Sequence, residues 1–166
     1  MSTDELRDPP DAPSIERGIS IAPYQMIGLA LLAVLPLLAL AGTLGDRWDS
    51  RDAAAGSLDV SLRYPTVFRY KTINSFTVHV TNRGATALDT VTVALDTTYA
   101  LGFSTVTAVP PFTGPFEVDL VELQPGETRL VRIEIQGERY WRRAGELTAS
   151  SGPDTVRVPV ATFVFP

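Results

Sequence analysis

The sequence predicts an all-β domain, two antiparallel sheets packed face to face, preceded by one transmembrane α-helix. Three observations carry that expectation. Residues 24–44 (YQMIGLALLAVLPLLALAGTL) hold no charged side chain. From Leu58 onward apolar and polar residues alternate with period two in short runs. Turn clusters separate the runs, NRG at 82–84, QPGE at 124–127 and SGPD at 151–154, with no convincing helical pattern between them.

Residues 1–23 form a polar tail. It carries Asp4, Glu5, Asp8, Asp11 and Glu16 among several prolines. Such a segment stays extended and buries no core of its own. It reads either as a disordered cytoplasmic leader or as a strap that orders along a partner subunit.

Residues 24–44 are the expected membrane span. About 20 apolar residues at ~1.5 Å each cross the ~30 Å hydrocarbon layer. Leucines point all round this helix, which suits lipid better than a half-buried position. Pro36 stands mid-span and predicts a kink. Gly28 and Ala33, with Ala39 and Gly42, leave small patches where a second helix can approach. Tyr24 and Trp48 bracket the run as interfacial anchors. A cleaved signal peptide is the rival reading, since Ala39-Leu40-Ala41 resembles a cleavage site. Against it stand the long, acidic leader and the length of the apolar run. Arg7 and Arg17 before the run nearly balance Arg47, Arg51 and Arg63 after it, so charge does not set the orientation. A short tail stays inside readily, and long domains translocate largely regardless of charge. The expectation is a single-pass protein of a bacterial inner membrane, its N-terminus cytoplasmic and its C-terminal domain periplasmic. Residues 45–57 are then a juxtamembrane linker.

The β domain is expected over 58–166. Leu58, Val60, Leu62 and Tyr64 alternate with polar neighbours as a first strand that Pro65 ends, with a short continuation at 67–70. Phe76, Val78 and Val80 form the next, and Asn82-Arg83-Gly84 turns the chain. A strand follows through Val91, Val93 and Leu95. Residues 99–109 are β-prone but irregular, and 109–115 is a proline-rich loop. Phe116, Val118 and Leu120 mark another strand, and Val131, Ile133 and Ile135 the one after the QPGE turn. A short strand at 145–150 and a long one at 155–165 complete the set. Pro159 inside the last strand predicts an edge position or a bulge. A domain of this size folds without disulfides.

Composition excludes several functions. The chain carries a net charge of −5, which disfavours nucleic acid as a partner. It contains no cysteine, so disulfides, thiolate metal sites and cysteine nucleophiles are absent. His79 is the only histidine. It stands on a polar strand face and supports neither a triad nor a metal site. Glu117, Asp119 and Glu122 are explained by solvation, a calcium site needing more oxygen ligands on a loop. No glycine pattern fits a phosphate loop. The reading is a protein that is not an enzyme and holds no cofactor or metal.

Two stretches suit contact with a partner. Tyr140, Trp141, Arg142 and Arg143 set two large aromatics beside two guanidinium groups, a combination enriched at interfaces and suited to lipid phosphate. The alternative is that Trp141 caps the core and the arginines are solvated. Phe103, Pro111 and Phe112 belong to an apolar stretch, 99–116, that marks a contact if exposed and an irregular strand with Phe112 tucked beneath it if not.

The phrases FTVHVTNRGATALDTVTVAL, LQPGETRLVRIEIQG and AGELTAS resemble the immunoglobulin-like domains of CARDB and related bacterial and archaeal envelope families. The shared features are a V-x-V-x-N-x-G strand-turn, a Pro-Gly-Glu turn and a closing strand after a glycine. The resemblance implies an immunoglobulin-like antiparallel β-sandwich over 58–166 and supplies no functional residues. That fold hosts adhesion, scaffolding and accessory roles alike. The function expected is a non-enzymatic accessory subunit that stabilises a larger membrane complex through helix, tail and β domain, with a photosynthetic or respiratory assembly as host. Its partners are then integral membrane subunits and lipids. The alternative is an independent envelope module for adhesion or glycan binding.

Overall fold

The computed structural model describes residues 23–40 and 45–166. The tail expected as leader or strap, the cleavage-like Ala41 and the small residue Gly42 lie outside the described residues. The chain divides into one unit ending at Thr43 and a second starting at Leu44.

In the first unit, helix α1 covers Pro23–Leu40, eighteen residues with Pro36 inside and no charge in either terminal turn. At ~1.5 Å per residue it rises about 27 Å. Its described apolar side chains are exposed on every side, among them Met26, Leu29, Leu32, Val34 and Leu37. Gly28, Ala33 and Pro36 are exposed among them. Among the described residues no helix is long and apolar enough to cross a membrane. The expected span of 24–44 is thus seen as helix only as far as Leu40, and its remainder falls in residues 41–44.

The second unit is all-β. Its strands are β1 (Arg47–Ala55), β2 (Leu58–Arg69), β3 (Ile73–Asn82), β4 (Leu88–Leu95), β5 (Phe103–Val109), β6 (Glu117–Leu123), β7 (Thr128–Gly137), β8 (Trp141–Ser151) and β9 (Asp154–Phe165), with a four-residue helix α2 (Thr97–Ala100) between β4 and β5. The stretch read as a juxtamembrane linker is strand β1. Its Asp, Arg and Ala side chains are largely exposed, which hides an edge strand from any search for buried alternation. The short strand expected at 145–150 begins instead at Trp141. Helix α2 was not expected; Asp96 caps it by accepting a hydrogen bond from the Tyr99 amide at 2.7 Å.

The strands form one continuous hydrogen-bonded sheet, ordered β5-β7-β3-β2-β9-β8-β4-β6, with β1 on β2. This replaces the expected pair of separate antiparallel sheets, and the link between its halves is parallel. Proline chemistry explains it. The pairing of β2 with β3 stops at Arg63, and the parallel pairing with β9 begins at Val67. Pro65 lies between and has no amide hydrogen to continue the first ladder. The Thr162 hydroxyl donates to the Pro65 carbonyl at 2.9 Å and secures the crossing. Pro65 therefore switches the strand's partner rather than ending the strand. Pro159 fits the edge expectation locally: it faces Glu146 of β8, while β9 gains its second neighbour only from Phe163.

Both halves of the sheet bury their apolar faces in one core. Val78 and Ile133 come from one half, and Val93, Leu147 and Val158 from the other. Aromatic rings join the two contributions: Tyr64 stacks on Phe76 at 5.9 Å, and Phe76 meets the edge of Tyr99 at 6.1 Å. Burial pushes the Tyr99 hydroxyl far above its ordinary pKa. Its hydroxyl is bonded to that of Thr162, so the buried polar pair is satisfied.

The strand register gives this unit two unlike ends. The turns β1–β2, β3–β4, β6–β7 and β8–β9 share one, here the turn end. It is knitted together by polar groups. Fully buried Asn82 donates to the carbonyls of Thr86 (2.8 Å) and Leu123 (2.9 Å) and accepts from the Gly84 amide (2.8 Å). Asp154 accepts from the Ser57 amide and hydroxyl at 2.8 and 2.7 Å. Those two bonds, the amide first, hold the Asp154 carboxyl below its usual pKa. The Arg129 side chain, then the Gln124 amide, does the same to Glu127. Both carboxyls titrate lower folded than unfolded. Their stabilisation is present above the unfolded values near ~4 and is lost as pH falls through the folded ones. The urea midpoint of unfolding is expected to drop as pH falls below about 4. Asp154→Asn is expected to lower the midpoint at pH 7 and to flatten that acid limb; an unaltered limb refutes the assignment.

Candidate interaction surface

The opposite end of the β unit carries the start of β1 and the residues that follow β2, β7 and β9, together with α2 and the first residues of β5 and β8. It is where the chain enters the unit. Backbone hydrogen bonds tie three of its strand ends: the Tyr70 amide donates to the Phe165 carbonyl at 2.8 Å and the Lys71 amide to the Gly137 carbonyl at 2.9 Å. On that base stand aromatic side chains and cations. Tyr70 and Tyr140 meet at 4.8 Å between ring centres. The Lys71 ammonium lies 5.4 Å over Tyr70, and the Arg69 guanidinium 5.8 Å over Phe165. Trp48, on β1, carries Arg63 over its ring at 5.3 Å.

Trp141 does not cap the core. It is 74% exposed, and its neighbour Tyr140 is 52% exposed. Arg142 is exposed, while Arg143 is half-buried and covers Gly102 closely. Trp141 and Lys71 both hold positive φ, 130° and 60°, a conformation that side-chain-bearing residues adopt at a cost of about 1–3 kcal/mol. Phe103 is corrected from a contact candidate to a core residue. It is 7% exposed, edge-on to Tyr99 at 5.1 Å, because α2 turns the chain inward just before it. Phe112 is half-buried against the core and edge-on to Phe116 at 5.9 Å, and Pro111 remains exposed. Of the 99–116 stretch, Tyr99, Ala100, Gly102 and Phe103 are buried, while Leu101, Val109 and Pro111 are exposed. Of the two expected anchors, Trp48 is exposed on a strand rather than in a linker, and Tyr24 lies within α1.

Arg51, Arg83, Arg129 and Arg157 each pair with a carboxylate. Among the described residues, Arg63, Arg69, Lys71, Arg132, Arg139, Arg142 and Arg143 form no such pair, and Arg69, Lys71, Arg139 and Arg142 of these lie at the entry end. Sequence reading singled out Tyr140 to Arg143 as contact candidates because four suitable residues are contiguous. It did not single out Tyr70, Lys71 and Phe165, which lie at the same end only through the register of β2 and β9.

Elsewhere the chemistry is structural. Asp119 accepts from Thr92 at 2.7 Å and from Thr113 at 2.9 Å, stapling a loop to its strand. His79 is exposed mid-strand opposite Leu130. Among the described residues no cluster of His, Asp and Glu is placed to hold a metal ion.

No family model and no curated protein matches the chain. A solved β-glucosidase from Listeria innocua, in complex with gluconolactone, is similar over 74% of this chain and 16% of that one, at 12% identity and a TM-score of 0.35. A likeness that weak carries no argument.

Proposed function

We propose that the protein is a non-enzymatic, membrane-anchored accessory subunit that stabilises a larger membrane complex. In this reading α1 is the greater part of a single transmembrane helix spanning 24–44. The β unit is an immunoglobulin-like sandwich, its one sheet folded over at β2, on the periplasmic side of a bacterial inner membrane. The observation that carries the proposal is α1 itself, uncharged along its length and with its described apolar side chains exposed. An apolar surface of that extent requires a cover of lipid or protein. A photosynthetic or respiratory assembly is the host envisaged. The exposed rings of Tyr140 and Trp141 also suit stacking on a sugar, which keeps an envelope glycan-binding module as the second reading.

The test is extraction of the tagged full chain from native membranes. The protein is expected to resist a carbonate wash and, in mild detergent, to co-purify in fixed ratio with integral subunits. Release by carbonate removes the anchor, and a detergent-solubilised monomer that binds glycans favours the second reading.

A further inference from the structure

We infer that the entry end of the β unit rests on anionic lipid headgroups, with Trp141 and Tyr140 in the interface and the cations around them on lipid phosphate. The inference rests on the anchored reading. It specifies what the side chains of that end touch.

Three observations converge on it. Arg69, Lys71, Arg139 and Arg142 gather at one end of a chain whose net charge is −5, and among the described residues none is neutralised by a carboxylate. A cation cluster not neutralised by internal carboxylates attracts an external anion. Large amphipathic rings share that end, and Trp141 is 74% exposed with φ at 130°. Trp and Tyr at headgroup depth, their polar edges wet and their bodies apolar, are the usual occupants of a bilayer interface. Finally, this is the end at which the chain enters from the apolar run. Seven peptide steps join Leu40 to Arg47, so at most ~25 Å of chain separates a membrane-embedded helix end from this surface, whatever the units' mutual orientation. The turn end, with Asp154 and Glu127 engaged in its own hydrogen bonds, offers no comparable cationic face.

The experiment uses the full chain carrying Trp48→Phe, so that Trp141 is the only tryptophan. It is reconstituted into phosphatidylcholine vesicles with or without phosphatidylglycerol. With the anionic lipid, Trp141 emission is expected to shift to the blue, to be quenched by lipids brominated near the headgroup, and to be shielded from aqueous iodide. Raised salt is expected to reverse these changes. Arg139→Ala with Arg142→Ala is expected to lower the docked-to-free ratio roughly 25-fold, at a factor of ~5 per cation. Both positions are on the exterior, and circular dichroism checks that the variant folds. Emission identical in the two vesicle types, with full iodide access, overturns the inference. So does shielding of Trp141 that occurs only when co-purified protein subunits are present, which assigns this end to a protein partner. A carbonate wash of the same vesicles keeps the two readings apart: a retained protein with solvent-exposed Trp141 sinks the lipid contact alone, whereas a released protein sinks the anchor.

Discussion

Asn82→Ala is expected to destabilise the β unit by about 3 kcal/mol. The side chain is fully buried and makes three hydrogen bonds, to the carbonyls of Thr86 and Leu123 and from the Gly84 amide. Alanine leaves the buried bond to the Leu123 carbonyl and the part-buried one from the Gly84 amide unmade, at roughly 1–3 kcal/mol for a buried group left unsatisfied and less for a part-buried one. The backbone of the same residue also binds the β6–β7 turn, donating to the Glu127 carbonyl at 3.0 Å and accepting from the Gly126 amide at 2.7 Å. The side chain therefore holds one turn in place for the other. Urea unfolding followed by tryptophan emission measures the loss. Thr81→Ala, which removes an exposed hydroxyl pair with Thr128, is the control and is expected to cost under about 0.5 kcal/mol. Equal losses in the two variants exclude the proposed role. Asn82→Asp gives a sharper test. It keeps the acceptor for Gly84 but turns a buried carboxylate toward two carbonyl oxygens, which raises its folded-state pKa. Its deficit relative to the unsubstituted protein is expected to widen as pH rises from about 4 towards 7.

The motif containing Asn82 was legible as a turn, but its reach was not. V-x-V-x-N-x-G shows a strand ending at a flexible glycine. It does not show that the amide side chain crosses to Leu123, forty-one positions away. The same limit recurs across the fold. Buried strands were legible because apolar side chains repeat with period two, as at Val78 and Val80 or Ile133 and Ile135. Strand β1 was not, because an edge strand with largely exposed side chains has no burial to encode. Pro65 was read as the end of a strand, but β2 continues through it to Arg69; one residue's chemistry states that a ladder must stop, not that another strand receives the chain. The surface behaved in the same way. Tyr140 to Arg143 stood out as neighbours in sequence, while Arg69, Tyr70, Lys71 and Phe165 reach the same end only through a parallel pairing that local pattern does not specify. Phe103 went wrong for a related reason: the four-residue helix before it redirects an apolar stretch inward, and its only local signal is the capping Asp96.

Gly145 tests the packing between the sheet and that short helix, and Gly145→Ala is expected to cost about 2–3 kcal/mol. A methyl at this position of β8 lies well inside 3.0 Å of the Tyr99 Cβ and 2.7 Å from its Cγ. Those atoms are close to the backbone and cannot swing away. Tyr99 is itself held at three points: its amide bonds the Asp96 cap, its hydroxyl bonds Thr162, and its ring lies against Phe76 and Phe103. Relief therefore requires α2 or β8 to move as a body. The entropic gain from replacing a strand glycine, about 0.5–1 kcal/mol, is smaller than that strain. Gly102→Ala supplies the contrast. Its methyl meets the Nε, Cδ and Cζ atoms of Arg143, the mobile end of a half-buried side chain that can rotate outward, so the expected cost is under about 1 kcal/mol. Thermal and urea unfolding of the two variants decide the matter: a large loss at Gly145 with a small one at Gly102 supports a rigid Tyr99 contact. Comparable losses, or none at Gly145, mean that α2 yields and that Tyr99 does not fix the spacing of the core.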